Sequence, residues 1–99
     1  MALLDDIKLA LKIDGNDANT EINDLITAAE DDLELSGITA ALIVSTDPLI
    51  KRLITLYCKA NYGYEDPVYA AKFLEAYQSL RNHLVMSGDY SAYDVAAGS

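Results

Sequence analysis

Apolar side chains recur at steps of three and four residues along most of the chain, and this spacing constrains the fold more than any other feature. Such a period places the apolar groups on one face of an α-helix. No pair of alternating segments joined by a short turn, the pattern typical of a β-hairpin, is present. We therefore expect an all-α domain, a compact bundle of about four helices, over about residues 2–12, 17–36, 48–62 and 67–87.

Local signals mark where these helices begin and end. Asp47-Pro48 and Asp66-Pro67 each place an aspartate, which can accept hydrogen bonds from free amides, before a proline suited to the first helical position. Gly37 follows the second stripe, where a left-handed residue commonly ends a helix. These signals predict helix starts at positions 48 and 67 and a helix end near position 36.

The segment over residues 38–46, ITAALIVST, is apolar but too short to classify by its period. An extended segment, a helical turn and a loop crossing the core all remain open. Burial of each large side chain in it is worth about 1.5–3 kcal/mol. We therefore expect the segment to pack on the core or on another subunit.

The domain is expected to cover residues 1–87, because residues 88–99 carry no helical stripe. This C-terminal tail is expected to be flexible and disordered until it binds a partner, where it can add as a strand. No apolar run approaches the roughly 18 residues that span a bilayer. The single Cys58 leaves no internal disulfide, which fits a protein made in a reducing cytoplasm.

Charge is distributed unevenly along the 99 residues, whose net charge is −9. Residues 1–37 hold ten acidic and two basic side chains, whereas residues 38–88 carry a net charge of +1. Tight binding to duplex DNA needs clustered basic residues, and this chain lacks them. An acidic surface instead suits a passage through which DNA slides without sticking. A solvated face that aids solubility is the alternative.

The acidic stretch IDGNDANTEINDL, residues 13–25, resembles a calcium loop only at first sight. A helix–loop–helix calcium site needs oxygen ligands at loop positions 1, 3 and 5, glycine at position 6 and glutamate at position 12. Counted from Asp14, the last three of these positions hold Ala18, Asn19 and Leu25. The spacing excludes this site, and we expect Asn16 or Asp17 to cap the second helix instead.

No arrangement of residues points to catalysis. Cys58 and His83 have no spacing that pairs a nucleophile with a base, and phosphate-binding and dinucleotide-binding glycine motifs are absent. The acids of the run EDDLE, residues 30–34, lack a histidine-bearing partner motif for a metal site. We expect no catalytic, cofactor-binding or metal-binding residues, no cofactor and no enzyme activity.

The sequences of the helices resemble those of the phage head–tail connector (adaptor) family. LLDDIKLALKID, an acidic turn and NTEINDLITAAEDDLELSGI are similar to its first two helices, and DPLIKRLITLYCKANYGYED is similar to its third. The resemblance covers most of residues 1–87. Family members often carry an arginine after the third helix. This chain has Gly63, Tyr64 and Glu65 there, so no role of that arginine can be carried over.

The resemblance implies a small structural protein of the virion head–tail junction, made in the cytoplasm of the bacterial host. It implies a homo-oligomeric, dodecamer-like ring beneath the portal protein that extends the DNA channel without binding DNA specifically. The ring would offer a docking surface to stopper or tail proteins and would involve no membrane. The alternative is an acidic prophage-encoded binding module or a decoy that mimics DNA.

A closed ring of identical subunits needs two different complementary patches on each copy. Acids late in the second helix oppose the helix dipole, so they have another reason to be there. A basic intersubunit partner such as Lys51, Arg52, Lys59 or Arg81 is one candidate. Tyrosine suits the partly solvated positions typical of interfaces, where its ring is buried and its hydroxyl meets water. The candidate subunit-interface residues are Asp31, Asp32, Glu34, Lys51, Arg52, Lys59, Tyr62 and Tyr64. Tyr90 and Tyr93 are the candidates for portal docking.

Overall fold

Five α-helices, joined by short connections, make up the fold in a computed structural model that describes residues 3–45, 47–62, 67–87 and 90. These residues contain no β-strand, so the prediction of an all-α domain is confirmed. In chain order the helices are α1 (Leu3–Leu11), α2 (Asn19–Ser36), α3 (Ala40–Ser45), α4 (Pro48–Asn61) and α5 (Pro67–Val85).

Helix α3 is the one helix that the predicted set of four lacks. The other four correspond to the predicted helices, with ends that differ by at most two residues. Of the three open interpretations of residues 38–46, the structure contains the helical turn over Ala40–Ser45. Ile43 in this turn is buried in the core, which meets the expectation that the apolar segment packs there.

The start of α4 follows the predicted capping chemistry. The Oδ2 atom of Asp47 accepts a hydrogen bond from the backbone N–H of Leu49 at 3.0 Å, and Pro48 occupies the first turn. Helix α5 likewise begins at Pro67, while Asp66 lies outside the described residues. Both predicted helix starts are therefore confirmed.

Gly37 ends α2 in the left-handed conformation, with φ of 106°. Its backbone N–H donates to the carbonyl of Glu34, and the N–H of Ile38 donates to the carbonyl of Leu33. Ile38 and Leu33 are both fully buried, so an apolar contact accompanies these two hydrogen bonds. This arrangement confirms the predicted helix end.

The turn between α1 and α2 differs from its prediction. Ala18, rather than Asn16 or Asp17, precedes α2, and no side chain caps the helix. The Oδ1 atom of Asn16 instead accepts hydrogen bonds from the Nζ of Lys8 at 3.1 Å and the Nδ2 of Asn19 at 3.2 Å. The expected side-chain cap was wrong because Asn16 binds other side chains at this corner.

Helix α4 is the centre of the bundle, because it packs against α1, α2 and α5. The core consists of aliphatic side chains together with Cys58 and Tyr77, and no charged side chain among the described residues is buried. Every helix contributes to this core. Its members are Ile7, Ile22, Ile26, Ala29, Leu33, Ile38, Ile43, Ile50, Leu53, Ile54, Leu56, Cys58, Tyr77 and Leu84.

Candidate functional site

The acids of α2 that sequence analysis selected lie in two different environments. Asp32 faces α5, where its Oδ2 atom accepts hydrogen bonds from the hydroxyl of Tyr77 and, at 2.9 Å, from Nη1 of Arg81. The guanidinium of Arg81 also lies 5.6 Å from the centre of the Tyr77 ring. Asp32 therefore joins α2 to α5 within one chain.

Tyr77 is the buried member of this cluster. Burial raises the pKa of its hydroxyl far above the ordinary value, and the hydrogen bond to Asp32 raises it further. The hydroxyl therefore stays a neutral donor at any physiological pH. Tyr57 packs edge-on against the Tyr77 ring, with 5.3 Å between ring centres. The cluster thus supports the packing of the bundle.

Asp31 and Glu34 are exposed on the other side of α2. With α3 they form a groove of about 150 Å³, which we call the α2–α3 groove. Burial raises the pKa of Glu30 at this groove, and the neighbouring charge of Asp31 raises it further. The groove thus combines three acids with an apolar wall. Its lining residues are Glu30, Asp31, Glu34, Ala40, Ile43 and Val44.

Two of the selected basic residues border a second and wider groove. The Nζ of Lys51 in α4 forms an ion pair with Oδ2 of Asp6 in α1 at 2.7 Å, whereas Arg52 is exposed. This α1–α4 groove has a volume of about 420 Å³. It carries two cations and one anion, so it is basic overall. It is lined by Asp6, Leu9, Ala10, Pro48, Lys51, Arg52 and Thr55.

The other selected residues of the domain lie near the α4–α5 contact. The Nζ of Lys59 sits 5.3 Å from the centre of the Phe73 ring, a cation–π distance. Tyr62 is half-buried against the core at the end of α4. Tyr64 lies outside the described residues. The structure therefore places the selected residues that it describes at four sites on the domain: the Asp32 contact with α5, the α2–α3 groove, the α1–α4 groove and the α4–α5 contact.

Tyr90 packs on the domain, a contact that sequence analysis did not predict. Its carbonyl accepts hydrogen bonds from the backbone N–H of Thr39 at 2.8 Å and from the Thr39 hydroxyl at 3.0 Å. Its own hydroxyl donates to Oδ2 of Asp47 at 2.7 Å. The other tail residues, Tyr93 among them, lie outside the described part of the chain, where the expected disorder stays a prediction.

Cys58 and His83 lie in different environments. Cys58 is buried in α4, and burial raises the pKa of its thiol to about 12, so the thiol is protonated at neutral pH. His83 is exposed near the end of α5. Across the described ranges, no three side chains of His, Cys, Asp or Glu are grouped to hold a metal ion. None of the helices described is both long and apolar enough to cross a membrane.

Comparison with known protein families places most of the chain in a described family. The chain matches a family model described as phage connector protein over residues 3–91. The matched range includes all five helices and Tyr90. No curated protein and no solved structure matches the chain.

Proposed function

The chain belongs to the phage connector family, and we propose that it forms a ring of identical subunits beneath the portal at the head–tail junction of the virion. The ring extends the DNA channel and offers its far side to a stopper or tail protein. The match over residues 3–91 is the observation that carries this proposal, because it spans nearly the whole chain.

The distribution of charge supports a channel role. Seven of the ten acids in residues 1–37 are exposed: Asp5, Asp14, Asp17, Glu21, Asp24, Asp31 and Glu34. Such a surface repels the phosphate backbone, so DNA passes along it without being held. The proposal therefore needs no DNA-binding site on the protein.

We assign portal docking to the C-terminal segment that carries Tyr90 and Tyr93. Tyr90 is half-buried and hydrogen-bonded to the domain, so its principal part is to anchor this segment. Tyr93 then offers the aromatic side chain for the portal, since tyrosine is enriched at protein interfaces.

Binding to portal particles tests the proposal directly. The purified chain, mixed with portal particles of its own phage, is expected to co-sediment with them and to add a ring of density in electron microscopy. Truncation after Tyr90 retains the anchoring contacts and should abolish binding. Tyr69→Ala, which removes an exposed tyrosine of α5, should leave binding unchanged. Full binding of the truncated chain would remove the docking assignment, and no binding by the intact chain would overturn the portal role.

Deletion of the gene separates the connector role from the alternative of a decoy or regulatory module. A connector is required for joining, so the deletion should leave heads and tails separate, and expression of the chain in trans should restore complete particles. Normal joined virions from the deletion strain would contradict the connector role and favour the alternative.

A further inference from the structure

Two grooves on the domain have opposite charge, and each has an exposed apolar side chain at its lining. Glu30, Asp31 and Glu34 make the α2–α3 groove acidic, and Val44 beside them is 82% exposed. In the α1–α4 groove, Leu9 is 79% exposed. Each groove therefore places one exposed apolar side chain beside its charged ones.

We propose that these two grooves are the two halves of one contact, in which the α2–α3 groove of one copy of the chain docks into the α1–α4 groove of a second copy. Arg52 of one copy then faces the acids of α2 in the other, and Leu9 meets Val44. This inference rests on the proposed function, because a contact between unlike patches is the kind that can close a ring.

The charges explain why the contact joins unlike grooves. Two α2–α3 grooves face to face would bring six carboxylates together, and like charges set against each other disfavour that pairing. When an α2–α3 groove instead meets an α1–α4 groove, the cations of the second face the carboxylates of the first. Head-to-tail association therefore follows from the charges on the two grooves.

The cations of the α1–α4 groove differ in how they are held. Lys51 is already paired with Asp6 of its own chain, at 2.7 Å. Arg52, one position further along α4, makes no ion pair or hydrogen bond with any described residue. Its guanidinium can bind a carboxylate through two parallel hydrogen bonds. Arg52 is therefore the residue on which the contact depends most.

Cysteine pairs test which surfaces meet. Leu9→Cys and Val44→Cys introduce exposed thiols, while the native Cys58 is buried. The two variants are mixed, at up to millimolar concentration and also on portal particles, and then oxidised. Disulfide-linked heterodimers should form in large excess over homodimers of either variant. Met86→Cys, which is equally exposed just after the last residue of α5, is the matched control and should give no selective linkage with Leu9→Cys.

Charge exchange supplies a second readout. Arg52→Glu and Glu34→Arg should each weaken self-association about tenfold or more, which corresponds to roughly 1.4 kcal/mol. An equal mixture of the two variants should associate again. The altered α1–α4 groove of the Arg52→Glu variant is then complementary to the altered α2–α3 groove of the Glu34→Arg variant. The two unaltered grooves are complementary as in the wild type. Such rescue by mixing is expected only when unlike grooves meet.

The outcomes separate this inference from the proposed function. Portal binding by the wild-type chain without selective linkage between Leu9→Cys and Val44→Cys would overturn the contact and leave the connector role standing. Selective linkage together with rescue in the mixed charge variants supports the contact even if portal binding fails. Absence of both linkage and rescue, in solution and on portal particles, rejects the contact.

Discussion

Tyr90 donates its hydroxyl hydrogen to Oδ2 of Asp47 at 2.7 Å, across 43 positions of sequence. The same oxygen accepts the backbone N–H of Leu49 at 3.0 Å. One carboxylate oxygen therefore caps α4 and holds the segment that follows α5. Loss of the Asp47 carboxylate should therefore weaken both the start of α4 and the attachment of the segment that follows α5.

Tyr90→Phe removes the donor to Asp47 and keeps the ring. We expect the free energy of unfolding to fall by about 1 kcal/mol, the usual net value of one hydrogen bond, as measured by urea denaturation. Tyr69→Phe is the matched control, because Tyr69 is exposed on α5 and should change stability little. Equal stability of the two variants would contradict the anchoring role of Tyr90.

Asp47→Ala should cost more, because it removes the cap of α4 as well as the acceptor for Tyr90. A lost cap alone costs roughly 1 kcal/mol. The double variant Asp47→Ala with Tyr90→Phe should be more stable than the sum of the two losses implies, since both single changes break the same hydrogen bond. Strictly additive losses in the urea midpoints would show that the two residues act independently.

Asp32→Ala tests the cluster that joins α2 to α5. The hydroxyl of Tyr77 is buried, so removal of its acceptor leaves a polar group unsatisfied at a cost of about 1–3 kcal/mol. Thermal unfolding should show the loss as a lower Tm. Asp31→Ala removes the neighbouring exposed acid and is expected to change Tm little.

The double variant Asp32→Ala with Tyr77→Phe removes the unsatisfied hydroxyl as well. It should therefore be at least as stable as Asp32→Ala alone, although it carries two substitutions. A double variant that is much less stable than the single one would show that the hydroxyl of Tyr77 finds another partner in the absence of Asp32.

The long helices were predictable because each has three or more turns of apolar period. The start of α4 was predictable because Asp47 and Pro48 act within one turn. Helix α3 has only six residues, fewer than two full turns, so no period can develop in it. The expected cap at Asn16 failed because Lys8, from the preceding helix, binds the same oxygen.

The partners of the candidate interface residues depend on tertiary placement, which local sequence patterns do not give. Arg81 was a candidate intersubunit partner for the α2 acids, yet it binds Asp32 of its own chain, 49 positions away. No local pattern specifies such a pairing. The exposure of Leu9 and Val44 was not predicted, since a helical stripe does not show which neighbouring helix leaves a face open. The intersubunit roles of all eight candidates stay predictions: Asp31, Asp32, Glu34, Lys51, Arg52, Lys59, Tyr62 and Tyr64.

Two left-handed residues give opposite predictions. Gly37 has φ of 106°, which an alanine adopts at a cost of about 1–2 kcal/mol, so Gly37→Ala should lower the urea midpoint. Lys12 has φ of 60° at the end of α1, so Lys12→Gly should relieve a similar penalty and raise stability by up to about 1 kcal/mol. Lys12→Ala, which keeps the Cβ atom, should give no such gain.

The reactivity of Cys58 should report unfolding. Burial raises the pKa of its thiol to about 12, and the thiolate is the species that attacks disulfide reagents. Ellman's reagent should therefore label the native chain at pH 8 very slowly and the urea-unfolded chain at once. Leu9→Cys supplies the exposed thiol for comparison. Fast labelling of native wild-type chain would contradict the burial of Cys58.

Glu30 gives a prediction in which pH matters. Burial and the charge of Asp31 raise its pKa above the ordinary 4.5. The folded chain therefore holds this proton more tightly than the unfolded chain, so stability falls as pH rises from the unfolded pKa through the folded one, and the penalty is complete at neutral pH. Glu30→Gln should thus raise the free energy of unfolding at pH 7, by less than about 1 kcal/mol because the carboxylate is largely solvated, and Tm should rise with it. The gain should fade below pH about 4.

Glu34→Gln corrects for the loss of one negative charge from the same groove. A gain for Glu30→Gln that is equal at pH 4 and pH 7, or no larger than that for Glu34→Gln, would contradict the desolvation of Glu30.

Self-association should respond to Glu30→Gln in the opposite direction from stability. If Arg52 of a second copy faces Glu30, the substitution removes a charged acceptor, so Glu30→Gln should stabilise the isolated chain at pH 7 and weaken head-to-tail association. If Glu30 affected only the fold of the monomer, Glu30→Gln would change Tm without weakening self-association.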